Sequence, residues 1–409
     1  MRVLIACVGS AGDVHPFLAL GTALRARGHE VELQASEHFR ARVEAAGLTL
    51  LPLGSEADYA CVVGDADLWH PRRSFALLWR EMARHLPAAH AALAGRVRAG
   101  DTVLVGSTLA WQTRLLQDTH GVPAATMHLS PLCLFSGAAP ARLPGLPDLS
   151  GWPPGLVRAV HRLVEQGAID RVVAPQLDAI RTRLGLAPVR RVMSQWANAP
   201  GRVVCAWPDW FAPPQADWPA QARPCGFLRW PALPAAALPE PLEQFLAAGP
   251  APVGFTPGSA MAQGRGFFER ALAACAALGL RALLLTPFAD QLPASLPPWA
   301  CQVGYAPFER LLPRLRALVH HGGIGTSVEA AVAGLPQGFV PLAHDQFDNA
   351  ERWIARGVGL RLPRRDWAGT LARLLSDASI AASCRRVAAQ VVDADGVTAA
   401  AEMIEALGR

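Results

Sequence analysis

Two histidines, a glycine cluster and a later Asp-Gln pair stand close together in "VHHGGIGTSVEAAVAGLPQGFVPLAHDQFDNAERW", from Val319 to Trp353. A short apolar strand, a glycine turn and a helix beginning near Ile324 would leave backbone amides unpaired at the helix mouth. The amides of Gly323, Gly325 and Thr326, the hydroxyls of Thr326 and Ser327, and the partial positive charge of the helix end together make a site for an anion such as a diphosphate. His321, neutral or protonated, adds a hydrogen-bond donor. The same residues also fit a plain tight turn with its histidines in solvent, and the stretch alone leaves that open.

On either side of this stretch, apolar strands and helices alternate along the chain. "RVLIAC", "VELQAS", "DTVLVGS" and "AATMHLS" read as strands of a first half, separated by helical stretches such as "PFLALGTALRARG" and "LAWQTRLLQDTHG". Phe17, Leu20 and Leu24 recur near helical spacing, Pro16 suits a first helical position, and Gly28 suits the residue after a helix end. A second series follows in "APVGFTPGS", "LRALLLTP", "CQVGYAP", "ALVHHGG" and "PQGFVPL". Such alternation implies parallel sheets covered on both faces, an α/β architecture of two Rossmann-like halves with ligands outside the strand carboxyl ends, in a cleft between the halves. Residues 212–241 are proline-rich and read as a connection. The expected organisation is a first domain over 1–220, a linker over 221–241, a second domain over 242–390, and a C-terminal helix over 391–409 that packs back on the first.

Composition narrows the chemistry. The chain has 409 residues, is 51% hydrophobic and carries a net charge of +5. All 38 cationic side chains are arginine, so neither a Schiff-base lysine nor the GK[ST] phosphate loop can be present. The arginines are scattered rather than blocked, which gives no indication of a nucleic-acid surface. The eight cysteines form no CxxC pair and read as buried thiols. No apolar run approaches the ~18 residues of a membrane span, the first stretch reads as a strand rather than a secretion signal, and the expected location is cytoplasmic.

The Val319–Trp353 stretch resembles the donor-binding signature of the inverting, nucleotide-sugar-dependent glycosyltransferases with the two-domain GT-B fold. In that family a histidine precedes the glycine turn, a carboxylate follows eight residues later, and an acidic residue with glutamine follows the next strand; His321, Glu329, Asp345 and Gln346 keep this order. The resemblance implies His321 at the donor phosphate, Glu329 near the ribose, and Asp345 with Gln346 on the sugar hydroxyls, Asn349 being similar to an additional polar contact. "VGYAPFERLLP" resembles the segment whose aromatic residue stacks on the base, which nominates Tyr305, although the family often has tryptophan there. "FTPGSA" resembles a glycine-serine turn that reaches the diphosphate, nominating Gly258 and Ser259.

"GSAGDVHPFLAL" is similar to the family's first loop, which carries the catalytic base. Asp13 occupies that position, and His15 is its competitor and a weak candidate for acceptor contact. Family members with a histidine base commonly have an acidic partner from a later strand end. Here that place is "VGSTLAW", without a carboxylate. Asp13 also fits a helix N-terminal cap, and both roles are compatible. Asp65-Ala66-Asp67 and Asp393-Ala394-Asp395 match the DxD pattern of a different, metal-dependent transferase fold, but neither follows a convincing strand. The resemblance therefore implies no metal and no cofactor, only a nucleotide-sugar co-substrate.

Within the family the chain looks most like the rhamnosyltransferases of bacterial rhamnolipid synthesis, through "GSAGDVHPF", "DLWHPRRSFALLW", "VVCAWPDWFAPPQADWP", "GGIGTS" and "AHDQFDNAER"; the second histidine of "VHHGG" is a departure. That implies dTDP-L-rhamnose as donor and a 3-(3-hydroxyalkanoyloxy)alkanoic acid as acceptor, with association at the inner membrane face or with a partner subunit left open. Eight of the 12 tryptophans precede residue 220 and would suit lipid chains, though core packing explains them equally well. The alternatives are a natural-product transferase acting on a polyketide, macrolide or glycopeptide with another dTDP- or UDP-sugar, and a non-catalytic nucleotide-sugar-binding partner. A dinucleotide oxidoreductase is disfavoured because "GSAGDVHP" lacks GxGxxG.

Overall fold

A computed structural model describes residues 1–143, 147–230 and 237–408. The chain divides into one unit formed by Met1–Trp230 with Asp395–Arg409 and a second formed by Pro231–Ala394.

The first unit runs β1 (Arg2–Ala6), α1 (Ala11–Ala26), β2 (Glu30–Ala35), α2 (Arg40–Ala45), β3 (Thr49–Pro52), α3 (Glu56–Gly64), α4 (Ser74–Ala94), β4 (Thr102–Ser107), α5 (Trp111–His120), β5 (Ala124–His128), α6 (Pro154–Val164), α7 (Arg171–Arg183), β6 (Arg202–Cys205) and β7 (Ala222–Pro224). Its strands pair in parallel in the order β3-β2-β1-β4-β5-β6-β7. Every residue of β1, β4 and β5 is buried, because helices cover both faces of a parallel sheet and leave no solvent side to alternate toward. The proline-rich stretch is not wholly connection. It contains β7, and Pro224 ends that strand at the sheet edge, where its missing N–H costs no ladder bond. Residues 231–236 of the expected linker lie outside the described residues.

The second unit runs α8 (Glu240–Ala247), β8 (Val253–Thr256), α9 (Arg265–Leu278), β9 (Ala282–Leu285), β10 (Ala300–Val303), α10 (Phe308–Leu311), β11 (Ala317–His320), α11 (Ile324–Val332), β12 (Gln337–Phe339), α12 (Gln346–Ala355), β13 (Gly359–Arg361), α13 (Trp367–Ser376) and α14 (Ala378–Val392). Its strands are also all parallel, ordered β10-β9-β8-β11-β12-β13. The carboxyl ends of β10, β8, β11 and β12 therefore share one sheet edge, and every donor residue nominated from sequence follows one of those ends.

The last helix, α15 (Gly396–Glu405), returns to the first unit. Ala400, Ala401 and Ile404 join the core of Phe17, Leu20 and Val204. Glu405 takes bonds from Arg27 at 2.7 and 2.9 Å and from His29 at 2.8 Å. A Cβ on Gly396 would come within 2.6 Å of the Gly226 and Phe227 backbone, so only glycine lets the chain pass there.

Trp79, Trp111, Trp196 and Trp207 are buried. Trp79 and Trp196 pack against Trp111, with ring centres 5.0 and 5.9 Å away. These four tryptophans are core, not the wall of a lipid channel.

Candidate functional site

The two adjacent histidines have different work. His320 ends β11 and is fully buried. Its Nδ1 accepts from the Gly322 amide at 3.1 Å, so its Nε2–H donates to Gln337 Oε1 at 3.0 Å. Gln337 in turn donates to the Ser327 carbonyl at 3.2 Å. One neutral ring thus ties the glycine turn to β12 and α11, and burial holds its pKa down at about 3.

His321 lies on the other side of the turn. Gly258, at φ +108°, approaches it so closely that a Cβ there would stand 3.1 Å from ring atom Cε1. Burial lowers the His321 pKa to about 4, and the Thr256 carbonyl offsets only part of that. Nδ1 is buried without a hydrogen-bond partner among the described residues. A ring nitrogen held in this way is costly unless something else pairs with it. His321 is therefore neutral here, and the protonated form allowed by the sequence is not the resting one.

Beyond the turn, α11 begins with Gly323 at its cap and no side chain capping its first amides. Gly325 meets nothing within 4 Å of a hypothetical Cβ, so no packing within the chain demands glycine there. Thr326 and Glu329 are half-buried on the same helix. Ser327 departs from expectation: it is buried, and its hydroxyl and amide both donate to the Gly323 carbonyl at 3.0 Å. Its hydroxyl braces the helix start and is not presented to an anion.

Gly322, at φ +89°, brings α12 against the turn, since a Cβ would lie 2.9 Å from the Gln346 carbonyl oxygen. This contact places Asp345 and Gln346 beside the histidine turn. Gln346 Oε1 accepts from the amides of Leu342 and Ala343 at 2.8 and 3.0 Å, leaving its NH₂ group as the end that could meet a sugar. Asn349 is fully buried and donates to Asp345 Oδ2 at 2.8 Å. It acts on Asp345, and the direct sugar contact expected of it is corrected accordingly. Burial raises the Asp345 pKa, with the Asn349 bond pulling the other way. The preceding His344 has φ 55°, a left-handed conformation unusual for a side-chain-bearing residue, and such strain collects at ligand sites.

Tyr305 follows β10 and is 61% exposed. Three strand spacings of ~4.8 Å, about 14 Å, separate β10 from β11, a span suited to a base at one end and phosphates at the other. Ser259 is exposed just after Gly258. A surface depression of about 540 Å³ in this unit, beside Arg265, Asp290 and Leu296, touches none of these residues; the chemistry of the sheet edge outweighs its size.

In the first unit Asp13 stands in the first turn of α1, shortly after β1. Its Oδ2 accepts from the Ser10 amide at 2.8 Å and the Ser10 hydroxyl at 3.1 Å. A Cβ on Gly9, at φ +139°, would fall 2.3 Å from that oxygen, so Gly9 makes room for the carboxylate. His15 accepts from Arg42 Nη1 at 3.4 Å through Nε2, and burial together with Arg42 lowers its pKa to about 4. That makes His15 a poor proton acceptor near neutrality.

At the neighbouring strand end the Ser107 hydroxyl accepts from the Val8 amide at 3.2 Å. The next strand end carries a histidine that no local motif marks. Buried His128, at the end of β5, accepts from the Thr108 hydroxyl at 2.9 Å and donates to Asn198 Oδ1 at 2.8 Å. Its position at a strand carboxyl end was the available signal.

The DxD matches are helix caps: Asp65 Oδ1 accepts from the Asp67 amide at 2.8 Å, and Asp395 Oδ1 from the Thr398 amide at 3.0 Å. Among the described residues no group of His, Cys, Asp and Glu is arranged to hold a metal, and no helix is long and apolar enough to cross a membrane.

Known proteins share this architecture. Residues 3–113 match the glycosyltransferase family 28 N-terminal domain, and residues 283–407 match the erythromycin biosynthesis protein CIII-like C-terminal domain. O-mycaminosyltylonolide 6-deoxyallosyltransferase of Streptomyces fradiae is 32% identical over 99% of this chain and 97% of its own. Glycosyltransferase GtfE of Amycolatopsis orientalis is 30% identical over 88% and 85%. The spinosyn rhamnosyltransferase SpnG, solved with thymidine diphosphate, superposes with a TM-score of 0.69 at 22% identity over 99% of this chain and 100% of that one. For the glycotransferase of kitacinnamycin the TM-score is 0.76 at 21% identity, over 100% and 99%. With two parallel Rossmann-like units and a relative of this identity along nearly its full length, the chain belongs to the GT-B glycosyltransferases.

Proposed function

We propose that the protein is an inverting glycosyltransferase that moves a deoxyhexose, L-rhamnose foremost, from a thymidine diphosphate sugar to a hydroxyl of a small natural-product acceptor. The observation that carries this reading is His321, neutral, with a buried unpaired ring nitrogen, beside a glycine turn and an uncapped helix start. The amides of the turn and helix start donate to a departing diphosphate without needing a metal, and His321 joins them in the tautomer that carries its hydrogen on Nδ1. Asp345 and the Gln346 amide bind the sugar, Tyr305 stacks on the thymine, and Glu329 holds the ribose. Asp13 takes the acceptor hydroxyl proton as that oxygen bonds to the anomeric carbon; the bond from that carbon to the diphosphate breaks, and its electron pair leaves with the diphosphate. A single displacement inverts the anomeric centre.

Relatives support the donor and acceptor classes by what they are: a 6-deoxyallosyltransferase, a glycosyltransferase of Amycolatopsis, and a rhamnosyltransferase solved with thymidine diphosphate. A hydroxyalkanoyloxy alkanoic acid is the second acceptor reading, favoured by the sequence stretches that resemble the rhamnolipid enzymes. The test is turnover of dTDP-rhamnose, other dTDP-deoxysugars and UDP-glucose against macrolide aglycones and hydroxy fatty acids, with the product's anomeric configuration read by NMR. A retained configuration, or turnover of UDP-glucose alone, would overturn the reading.

A further inference from the structure

Helix α6 buries Val157 and His161, leaves Arg158 and Arg162 exposed, and leads into buried Glu165 just past its end. Arg158, His161, Arg162 and Glu165 recur at i, i+3, i+4 and i+7, on one face, and on that face His161 is 8% and Glu165 1% exposed. Leu156 and Leu163, seven residues apart on the opposite face, are 49% and 70% exposed. Behind the polar face is a cavity of about 110 Å³, bounded among others by Phe135, Arg191 and Asn198.

The hydrogen-bond acceptors around this cavity are already taken. Glu165 accepts from the Ser194 amide at 2.7 Å and the Ser194 hydroxyl at 2.6 Å. Asp217 accepts from the Gly137 amide at 2.7 Å and the Ser136 hydroxyl at 2.8 Å. Donors remain over. Arg191 Nε is buried with no hydrogen bond among the described residues, 3.7 Å from Glu165 Oε2, and His161 Nδ1 is buried and equally unpartnered. Arg158, Arg162 and Arg191 outnumber the two carboxylates on the lining. A site with spare donors and one surplus positive charge fits an oxyanion.

The chain works to hold Arg191 there. Its φ of 54° is left-handed, and the buried Asp170 carboxylate fixes it by accepting from the Arg191 and Val192 amides at 2.8 and 3.0 Å. Both flanking segments, Glu165–Asp170 and Val192–Trp196, are π-helical turns, a distortion that gathers at functional sites. Asn198 links the cavity to His128 at the end of β5. Only β4 separates β5 from β1, so the cavity wall starts about 10 Å along the sheet from the strand that leads to Asp13.

We propose that this cavity receives the carboxylate of an acid-bearing acceptor, so that the enzyme prefers hydroxy acids to their esters. The inference rests on the transferase reading above and deepens it. The test uses the full chain and two probes, 3-hydroxydecanoate and its methyl ester, titrated calorimetrically beside thymidine diphosphate. The acid is expected to bind roughly tenfold or more tighter than the ester. Arg191→Gln, and Arg162→Gln at an exposed position that cannot disturb the core, should each remove most of that preference without changing ester binding. Equal binding of acid and ester, no binding of the acid, or a preference that survives both substitutions overturns the inference. Thymidine diphosphate binding alongside such a result leaves the transferase reading standing, whereas its absence in the unsubstituted protein counts against that reading instead.

Discussion

Asp13 Oδ2 accepts from both the amide and the hydroxyl of Ser10, at 2.8 and 3.1 Å, so the proposed base is also a capping residue of α1. The two roles separate by substitution. Asn at position 13 keeps an oxygen for the Ser10 amide but cannot take a proton. Asp13→Asn should therefore unfold within a few tenths of a kcal/mol of the parent, while kcat falls by about 10² to 10⁴. Asp13→Ala should lose as much activity and about 1 kcal/mol of stability besides. Urea unfolding beside initial rates reads both effects, and full activity in the Asn variant would remove Asp13 from the chemistry.

Gly325 gives an effect of opposite signs. Glycine inside a helix costs about 1 kcal/mol relative to alanine, and no neighbour within 4 Å obliges it here. Gly325→Ala should raise the unfolding free energy by up to that amount. If the first turn of α11 receives the diphosphate, the added methyl should also weaken thymidine diphosphate binding by about tenfold or more, as steric contact with a tightly held group does. A stabilised variant with unchanged nucleotide affinity would place the diphosphate elsewhere.

These two residues show what sequence could and could not give. Apolar runs marked the strands of both sheets, since a strand buried on both faces must be apolar along its length, and glycines marked the turns. The fold class was legible for that reason, and the nominated donor-side residues follow the ends of those strands. Ser327 was not legible, because a hydroxyl at a helix start can face a ligand or its own carbonyl, and only three-dimensional placement decides. The edge strand β7 was hidden by its prolines. His161, Arg191 and Asn198 meet across long sequence separations, so no local pattern announces them.

Asn349 tests whether Asp345 is a sugar residue. Its amide donates to Asp345 Oδ2 at 2.8 Å, both within the second unit. Asn349→Ala should free the carboxylate to rotate and, with less to oppose burial, raise the Asp345 pKa further. The loss should appear in kcat and KM for the nucleotide sugar, roughly tenfold for a lost charge-assisted bond, and not in the Kd of thymidine diphosphate, which has no sugar to lose. Asp345→Asn should copy that pattern. Equal losses for both ligands would mean that Asn349 only supports the fold.

The histidines set the acid side of stability. Burial lowers His320 to about 3 and His128 to about 4, and each has an ordinary value of 6.5. His321 and His15 are shifted in the same direction, each to about 4. Between pH 6.5 and 4 the unfolded chain binds protons that the folded chain refuses, so stability rises with pH across that window. Their contribution is full above about 6.5 and is lost as pH falls toward 4. The two fully buried rings, His128 and His320, should each give a slope of up to about 1.4 kcal/mol per pH unit. Glu405, lowered to about 2 by Arg27 and His29, contributes stability that is lost only at lower pH, so it does not mimic this effect. Urea midpoints should fall steadily from pH 7 to 5, and His320→Gln should be less stable at pH 7 yet have a shallower slope. A flat profile between pH 7 and 5 would mean that these rings titrate freely and that the neutral His320 bridge beneath the glycine turn does not hold.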